Sequence, residues 1–395
     1  MKTFSLLPVL ALLFVLPAIS AEDKKEEFRP LFNGKNLDGW VKVNTAPSTW
    51  TVRDGLLHCT GKPTGELRTD RMYQNFTLEL EWRHLDPGGN AGVFVWADDI
   101  TSVGVPFHRS VEVQVLDHAY GNTRSHTTHG DIFPIHGAVM TPVNGRGGSR
   151  AFPTELHSKP SPEWNHYSIT CMDGSISLKV NGVLVTQGHD ANPRRGYICL
   201  ESEGGRVDYR NLRIREFPGD VLECEQAGIF DRGYSAIYTG VDLSGWEGDL
   251  DGWQVQDWRL AHKASAGPSR LIQKTTRSDF GFLADIHLKD SDSHATIRLR
   301  GDDATKLEVA LDSPLLSEHL HKGWNRLELL LVETTLWITV NGSQIAEPVE
   351  LTFGMASGRG RPVLLGPLTI EGVGEVTLAN LFVRPADVVR AAARN

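Results

Sequence analysis

Positive charge is in deficit. The chain carries 40 Lys+Arg against 49 Asp+Glu, a formal charge of −9, so it lacks the basic field that nucleic-acid binding requires. Cysteine is scarce, with only Cys59, Cys171, Cys199 and Cys224 and no C-x-x-C pair. That spacing argues against a zinc ribbon or a dithiol redox site and leaves buried thiols or one or two bridges. Past residue 21 no apolar run approaches the ~18 residues of a membrane span. Helical stripes are missing before a short stretch at 386–393. There is no G-x-S-x-G elbow, P-loop, H-E-x-x-H or dinucleotide fingerprint, and Gly145-Arg146-Gly147-Gly148 stands outside any strand–helix context.

What is present is a folded, turn-rich composition. Of 395 residues 40% are hydrophobic, with 39 Gly and 20 Pro, enough for two or three domains. At the N-terminus Lys2 precedes an apolar run over 4–17, and Ala18-Ile19-Ser20 then offers small residues. This pattern predicts a signal peptide over 1–21 and hence a secreted or periplasmic chain.

Self-similarity organises the remainder. Leu31 to Trp40 (LFNGKNLDGW) returns as Ile237 to Trp246 (IYTGVDLSGW), and Trp164-Asn165 precedes Asn181-Gly182 by the same 17 residues that separate Trp324-Asn325 from Asn341-Gly342. Arg210-Asn211-Leu212 is echoed by Ala379-Asn380-Leu381. The expected units are 28–217 and 228–385, joined near Phe217 to Gly228. Segments such as Thr77 to Trp82, Val111 to Val115 and Ser175 to Val180 alternate with the period of two of a half-covered strand. The Asn-Gly pairs supply tight hairpin turns. The fold expected is all-β, a jelly-roll sandwich for each unit in tandem.

The two units differ in one informative place. Asp117 is 47 residues from Trp164, whereas Asp312 is 12 from Trp324, so the first unit carries a long insertion. Loops of that length are often functional. It and its approach hold His108, His118, His126, His129, His136 and His157, together with Arg124 and Asp131. Alternation puts Glu112 and Gln114 on one face of their strand and Val111, Val113 and Val115 on the other, which suggests a concave sheet face that holds a polar ligand. Glu308 is the counterpart of Glu112, while Ala310 stands in place of Gln114. Most tryptophans recur between units and read as core, but Trp96 has no counterpart in the second unit, where Arg300 stands, and is the candidate for stacking on a sugar.

Taken in order, LFNGKNLDGW, Leu67-Arg68-Thr69, Phe76 to Arg83, Gly88 to Phe94, Val111 to Asp117, His136-Gly137-Ala138, Glu163-Trp164-Asn165 and Tyr209-Arg210-Asn211 resemble the 3-keto-disaccharide hydrolase domain family. The resemblance covers about 28–217, with a degenerate echo in the second unit. It implies concanavalin-like jelly rolls and a secreted glycoside-cleaving enzyme acting on sugars oxidised at C3. A C3 ketone acidifies the C2 proton, so a base can remove it while an acid or a metal assists departure of the oxygen on C1. On this reading Glu112, Asp117 and His136 are the candidate catalytic residues, and Asn90, Trp96, Gln114 and Arg68 the candidate substrate-binding residues. A divalent metal ion of unassigned identity is a possible cofactor. Trp96 and the Glu201-Ser202-Glu203-Gly204 turn depart from the family pattern. The expected partner is a carbohydrate substrate, with no nucleic acid and no membrane span. The alternative is a non-catalytic carbohydrate-binding or surface-interaction protein.

Overall fold

A computed structural model of the protein describes residues 27–120, 129–300, 308–345, 347–350 and 365–385. The signal segment, Arg124 and His126 lie outside the described residues, as does the stretch at 386–393. The chain forms two antiparallel β-sandwiches in tandem.

In the first, a nine-stranded sheet runs Val139–Pro142, Val183–Asn192, Ser175–Val180, Asn165–Met172, Asn75–His84, Val207–Phe217, Leu56–Cys59 and Trp50–Arg53, with Arg29–Pro30 added beside Val207–Phe217. A six-stranded sheet faces it, in the order Trp40–Val43, Gly65–Thr69, Tyr197–Ser202, Asn90–Ala97, Ser110–Leu116 and Ile132–Ile135. Alternation drives this packing: Leu78, Leu80 and Trp82 of one sheet meet Val93, Val113 and Leu200 of the other in one buried core.

The second sandwich repeats the strand order. Its larger sheet runs Trp253–Gln256, Arg259–His262, Val376–Pro385, Phe280–Leu288, Trp324–Val332, Thr335–Val340 and Ser343–Gln344. Its smaller sheet runs Trp246–Gly248, Ser269–Arg277, Gly366–Val373, His294–Arg298 and Glu308–Ala310. Local contacts match as well. The Trp40 indole N–H donates to Leu31 O and that of Trp246 to Ile237 O. The Asn181 and Asn341 side chains each donate to the asparagine of the preceding Trp-Asn pair, Asn165 and Asn325.

Between the sandwiches, 218–234 runs without long strands. The units nevertheless share a buried seam: Val43 and Ile100 of the first pack with Tyr234, Leu283 and Phe382. All four cysteines are free thiols; Cys59, Cys171 and Cys199 are buried and Cys224 is exposed. Among the described residues no helix is long and apolar enough to cross a membrane.

Candidate active site

The Ser110–Leu116 strand buries Val111, Val113 and Val115 in the core and turns Glu112 and Gln114 to the opposite, concave face. Strand pairing then lays out two rows of side chains. Glu112 stands opposite Phe94, which pairs with Cys199, which in turn pairs with Arg68. In the adjacent row Gln114 stands opposite Gly92, and beyond it Glu201 pairs with Glu66. Glycine is required at 92, because a Cβ there would lie 2.9 Å from Glu112 Oε1. Asn90 links the rows to Glu203: its amide donates to the Glu203 carboxylate, and its carbonyl oxygen accepts from Gln114 Nε2 at 2.8 Å.

Carboxylates gathered away from water dominate the electrostatics. Burial first, then the charge of Glu203, pushes the Glu112 carboxyl well above the ordinary range; Glu66 and Asp131 add to this, and Arg150 opposes it. Glu201 is raised for the same reasons, by burial, Glu112, Glu203 and Glu66. Burial also raises Glu203, against hydrogen bonds from Glu201 and Asn90. A carboxyl raised in this way can act as a proton donor.

Beside them, Glu66 accepts the His108 backbone N–H at 3.0 Å and meets the ring at Nδ1, which orients the imidazole. His108 Nε2, Arg68 Nε and Glu201 Oε2 are buried with no partner in the protein. Orphaned polar atoms converging on one face mark a place where a ligand or water completes the hydrogen bonding. Glu66, His108 and Cys199 bring one donor atom each within 4.8 Å of one another. Because Glu66 and His108 already satisfy each other and burial raises the thiol, the trio reads as a hydrogen-bonded dyad beside a neutral cysteine.

His136 follows the Ile132–Ile135 strand, whose Phe133 pairs with Glu112 and Ile135 with Ser110. Its ring stacks on Phe107 at 6.2 Å while remaining solvent-accessible. Partial burial holds its imidazole below the ordinary value; Glu66 opposes this and His108 reinforces it. His136 therefore stays neutral near pH 7.

Two candidates from the sequence sit elsewhere. Trp96 is fully buried in the core and its indole N–H donates to Gln74 O at 2.9 Å, so it has no face to offer a sugar. Asp117 accepts the backbone N–H groups of Gly88, Ala119 and Ser161, which occupy both carboxylate oxygens and lower its pKa despite burial. It ties loops together at the strand end. The His118 and His129 rings lie 4.3 Å apart, tilted by 40°, and are held by Ser158 and by Leu116 O respectively. Glu112, Gln114, Asn90, Arg68 and His136 are assembled around the concave face. Sequence reasoning missed Glu66, Glu201 and Glu203 as members; the polar alternation of Gly65–Thr69 and Tyr197–Ser202 was the available signal.

The equivalent sheet of the second sandwich has different charges. Pairing places Glu308 where Glu112 stands and Arg298 where Phe94 stands. Arg298 donates to Glu308 at 3.2 Å and to Glu371 at 3.0 Å, and Arg270 reaches Glu371 at 3.2 Å. Arginines neutralise the carboxylates there.

The concave sheet gathers buried carboxyls of raised pKa beside an accessible histidine, and similarity to known proteins supports a carbohydrate-active, glycoside-cleaving class. Residues 27–215 match the family described as the 3-keto-alpha-glucoside-1,2-lyase-like domain. A Bacteroides thetaiotaomicron protein named 3-keto-disaccharide hydrolase is 28% identical over 241 residues, covering 47% of this chain and 77% of that protein. Among solved structures, a Parabacteroides distasonis chain provisionally assigned as a glycosyl hydrolase aligns at 21% identity with a TM-score of 0.39, covering 51% of this chain and 98% of that one. A carbohydrate-binding module from Bacillus subtilis aligns at 13% identity with a TM-score of 0.32, covering 45% and 96%.

Proposed function

We propose that the protein is an exported enzyme that cleaves 3-keto-glycosides or 3-keto-disaccharides by elimination across C1–C2, on the concave face of the first sandwich. The observation that carries this reading is the contrast between the sheets: Glu112, Glu201 and Glu203 are gathered without a paired arginine among the described residues and their carboxyls are all raised above the ordinary range in the first, while arginines neutralise the matching positions in the second. Buried carboxyls raised in this way cluster at functional sites.

The C3 ketone acidifies the C2 proton, and His136, neutral and accessible, removes it. The electron pair forms the C1=C2 double bond as the C1–O bond breaks, and Glu112 gives its proton to the departing oxygen. The products are an alcohol or free sugar and a 1,2-unsaturated 3-keto sugar. Addition of water to the double bond completes net hydrolysis, and solvent carries the proton from His136 back to Glu112. Glu112 is thereby the acid. Arg68 and Asn90 supply donors to sugar oxygens on the floor, and Gln114, whose amide donates to Asn90 and to Ala91 O, holds Asn90 in place.

A chemically prepared 3-keto-glycoside, incubated with the protein, tests the proposal. Release of free sugar or alcohol above the enzyme-free rate is expected. Retention on a glycan without release supports the carbohydrate-binding alternative instead.

A further inference from the structure

The first sandwich's segment 98–109 carries Phe107, which stacks on His136, and His108, which is seated on Glu66. Its ends are tied within the first sandwich, by Arg109 on Asp98 and His108 on Glu66, but its middle, 101–105, is also held by the other sandwich. Asp285, fully buried, accepts the Gly104 N–H at 2.8 Å. Asn380 donates to Ser102 O at 3.1 Å and to Val105 O at 3.0 Å, and Arg326 donates to Thr101 O at 2.8 Å. The three are knitted together, with Arg326 on both Asp285 oxygens at 2.7 and 2.8 Å and Asn380 on Asp285 at 2.5 Å. Gly104 itself lies flat against the Trp324 ring with φ +70, and a Cβ there would come within 2.2 Å of the indole.

The first sandwich shows that the fold does not demand this use of those positions. By strand pairing, Glu81 and His166 occupy the places of Asp285 and Arg326. Asn211, at φ 53, corresponds to Asn380 at φ 52. There Asn211 simply donates to Glu81 at 2.7 Å, at the edge of a solvent-facing pocket, and holds no loop.

We propose that Asp285, Arg326 and Asn380 of the second sandwich are positioning residues for the first: they clamp 101–105 so that Phe107 and His108 set the His136 ring over the concave face. This rests on the reading of that face as a 3-keto-glycoside site. The second sandwich, whose matching carboxylates Glu308 and Glu371 are paired with arginines, thus has a part in the reaction without touching substrate. First-sandwich residues alone do not complete the site's support.

The test uses the full chain. Asn380→Asp keeps a side chain tolerant of positive φ but sets a carboxylate against Asp285 and two carbonyl oxygens. Gly104→Ala attacks the same contact from the loop side. Asn211→Asp is the control at the equivalent position. Hydrogen exchange at the Gly104 amide should accelerate at least tenfold in N380D and G104A and stay unchanged in N211D. With a 3-keto-glycoside, kcat should fall by about 10- to 100-fold with little change in KM, as expected when a reacting group is misplaced by about 1 Å. N211D should match wild type.

Unchanged Gly104 exchange in both variants would show that there is no clamp. Faster exchange with unaltered kcat would show a clamp that positions nothing. Equal kcat losses in N211D would assign the effect to general damage. If wild type cleaves no 3-keto-glycoside, the functional reading fails separately, while the exchange data still decide whether the clamp exists.

Discussion

Replacing Glu112 by glutamine should stabilise the protein at neutral pH while stopping its chemistry. In the folded chain Glu112 is buried and faced by Glu203, Glu66 and Asp131, with Arg150 as the opposing charge, so its carboxyl binds a proton more tightly than in the unfolded chain. A raised folded pKa favours the native state below the unfolded value of about 4.3, and that advantage is lost as pH rises through the folded value. Every tenfold of extra proton affinity amounts to about 1.4 kcal/mol, or about 3–5 °C in the melting temperature of a unit this size. Glutamine carries no charge at any pH. The E112Q melting temperature should therefore lie near wild type at pH 4 and rise above it progressively toward pH 8. Turnover of a 3-keto-glycoside should fall by about 10² or more, the usual scale for loss of a general acid. Glu308→Gln provides the contrast. Its carboxylate is 46% exposed and bonded to Arg298, so its loss should cost about 0–1 kcal/mol and leave turnover unchanged. The assay is thermal unfolding of wild type, E112Q and E308Q across pH 4–8, with turnover measured alongside. If E112Q is less stable than wild type at pH 8, Glu112 is a structural residue and the electrostatic argument is wrong.

Other substitutions give sharper local checks. Gly92→Ala places a methyl 2.9 Å from Glu112 Oε1 and 3.0 Å from the Phe94 ring; kcat should drop about tenfold and stability by about 1–2 kcal/mol, read by kinetics and denaturant titration. Asp117→Ala orphans three backbone N–H groups and should cost about 2–3 kcal/mol. Because its folded pKa is depressed, wild type should lose that contribution as pH falls through the folded value, whereas D117A shows no such acid dependence. Trp96→Phe should lower the melting temperature through the lost bond to Gln74 and a smaller core side chain, yet leave KM for a 3-keto-glycoside within twofold. A KM rise without destabilisation would restore Trp96 to the ligand face.

Much of the fold was legible because alternation is a local signal. Val111, Val113 and Val115 declared the buried face of their strand, and Glu112 and Gln114 the opposite one. Trp96 shows where such counting breaks. Parity with Asn90, Gly92 and Phe94 assigns it to the concave face, but it adopts φ +57 and the register shifts between Tyr197 and Cys199. A bulge of this kind re-aims every later side chain, and the indole goes into the core. Asp117 misled differently. A carboxylate at a strand end looks the same in sequence whether it meets a substrate or three backbone amides. Glu66, Glu201 and Glu203 were harder to see because sheet pairing joins residues more than a hundred positions apart, and no periodicity within one strand reports its neighbour's charge. The clamp was equally hidden, since Asp285, Arg326 and Asn380 acquire their role only when two sandwiches meet.

The most direct measurement uses a 3-keto-glycoside deuterated at C2 and follows the label in the released sugar. Elimination followed by hydration removes the C2 deuteron to solvent, so the product should carry a solvent-derived hydrogen at C2, turnover should show a primary isotope effect, and the rate of release should fall by about 10² with E112Q. Cleavage that leaves the C2 deuterium fully in place, at the rate of the unlabelled substrate, would contradict proton abstraction on the concave face of the first sandwich.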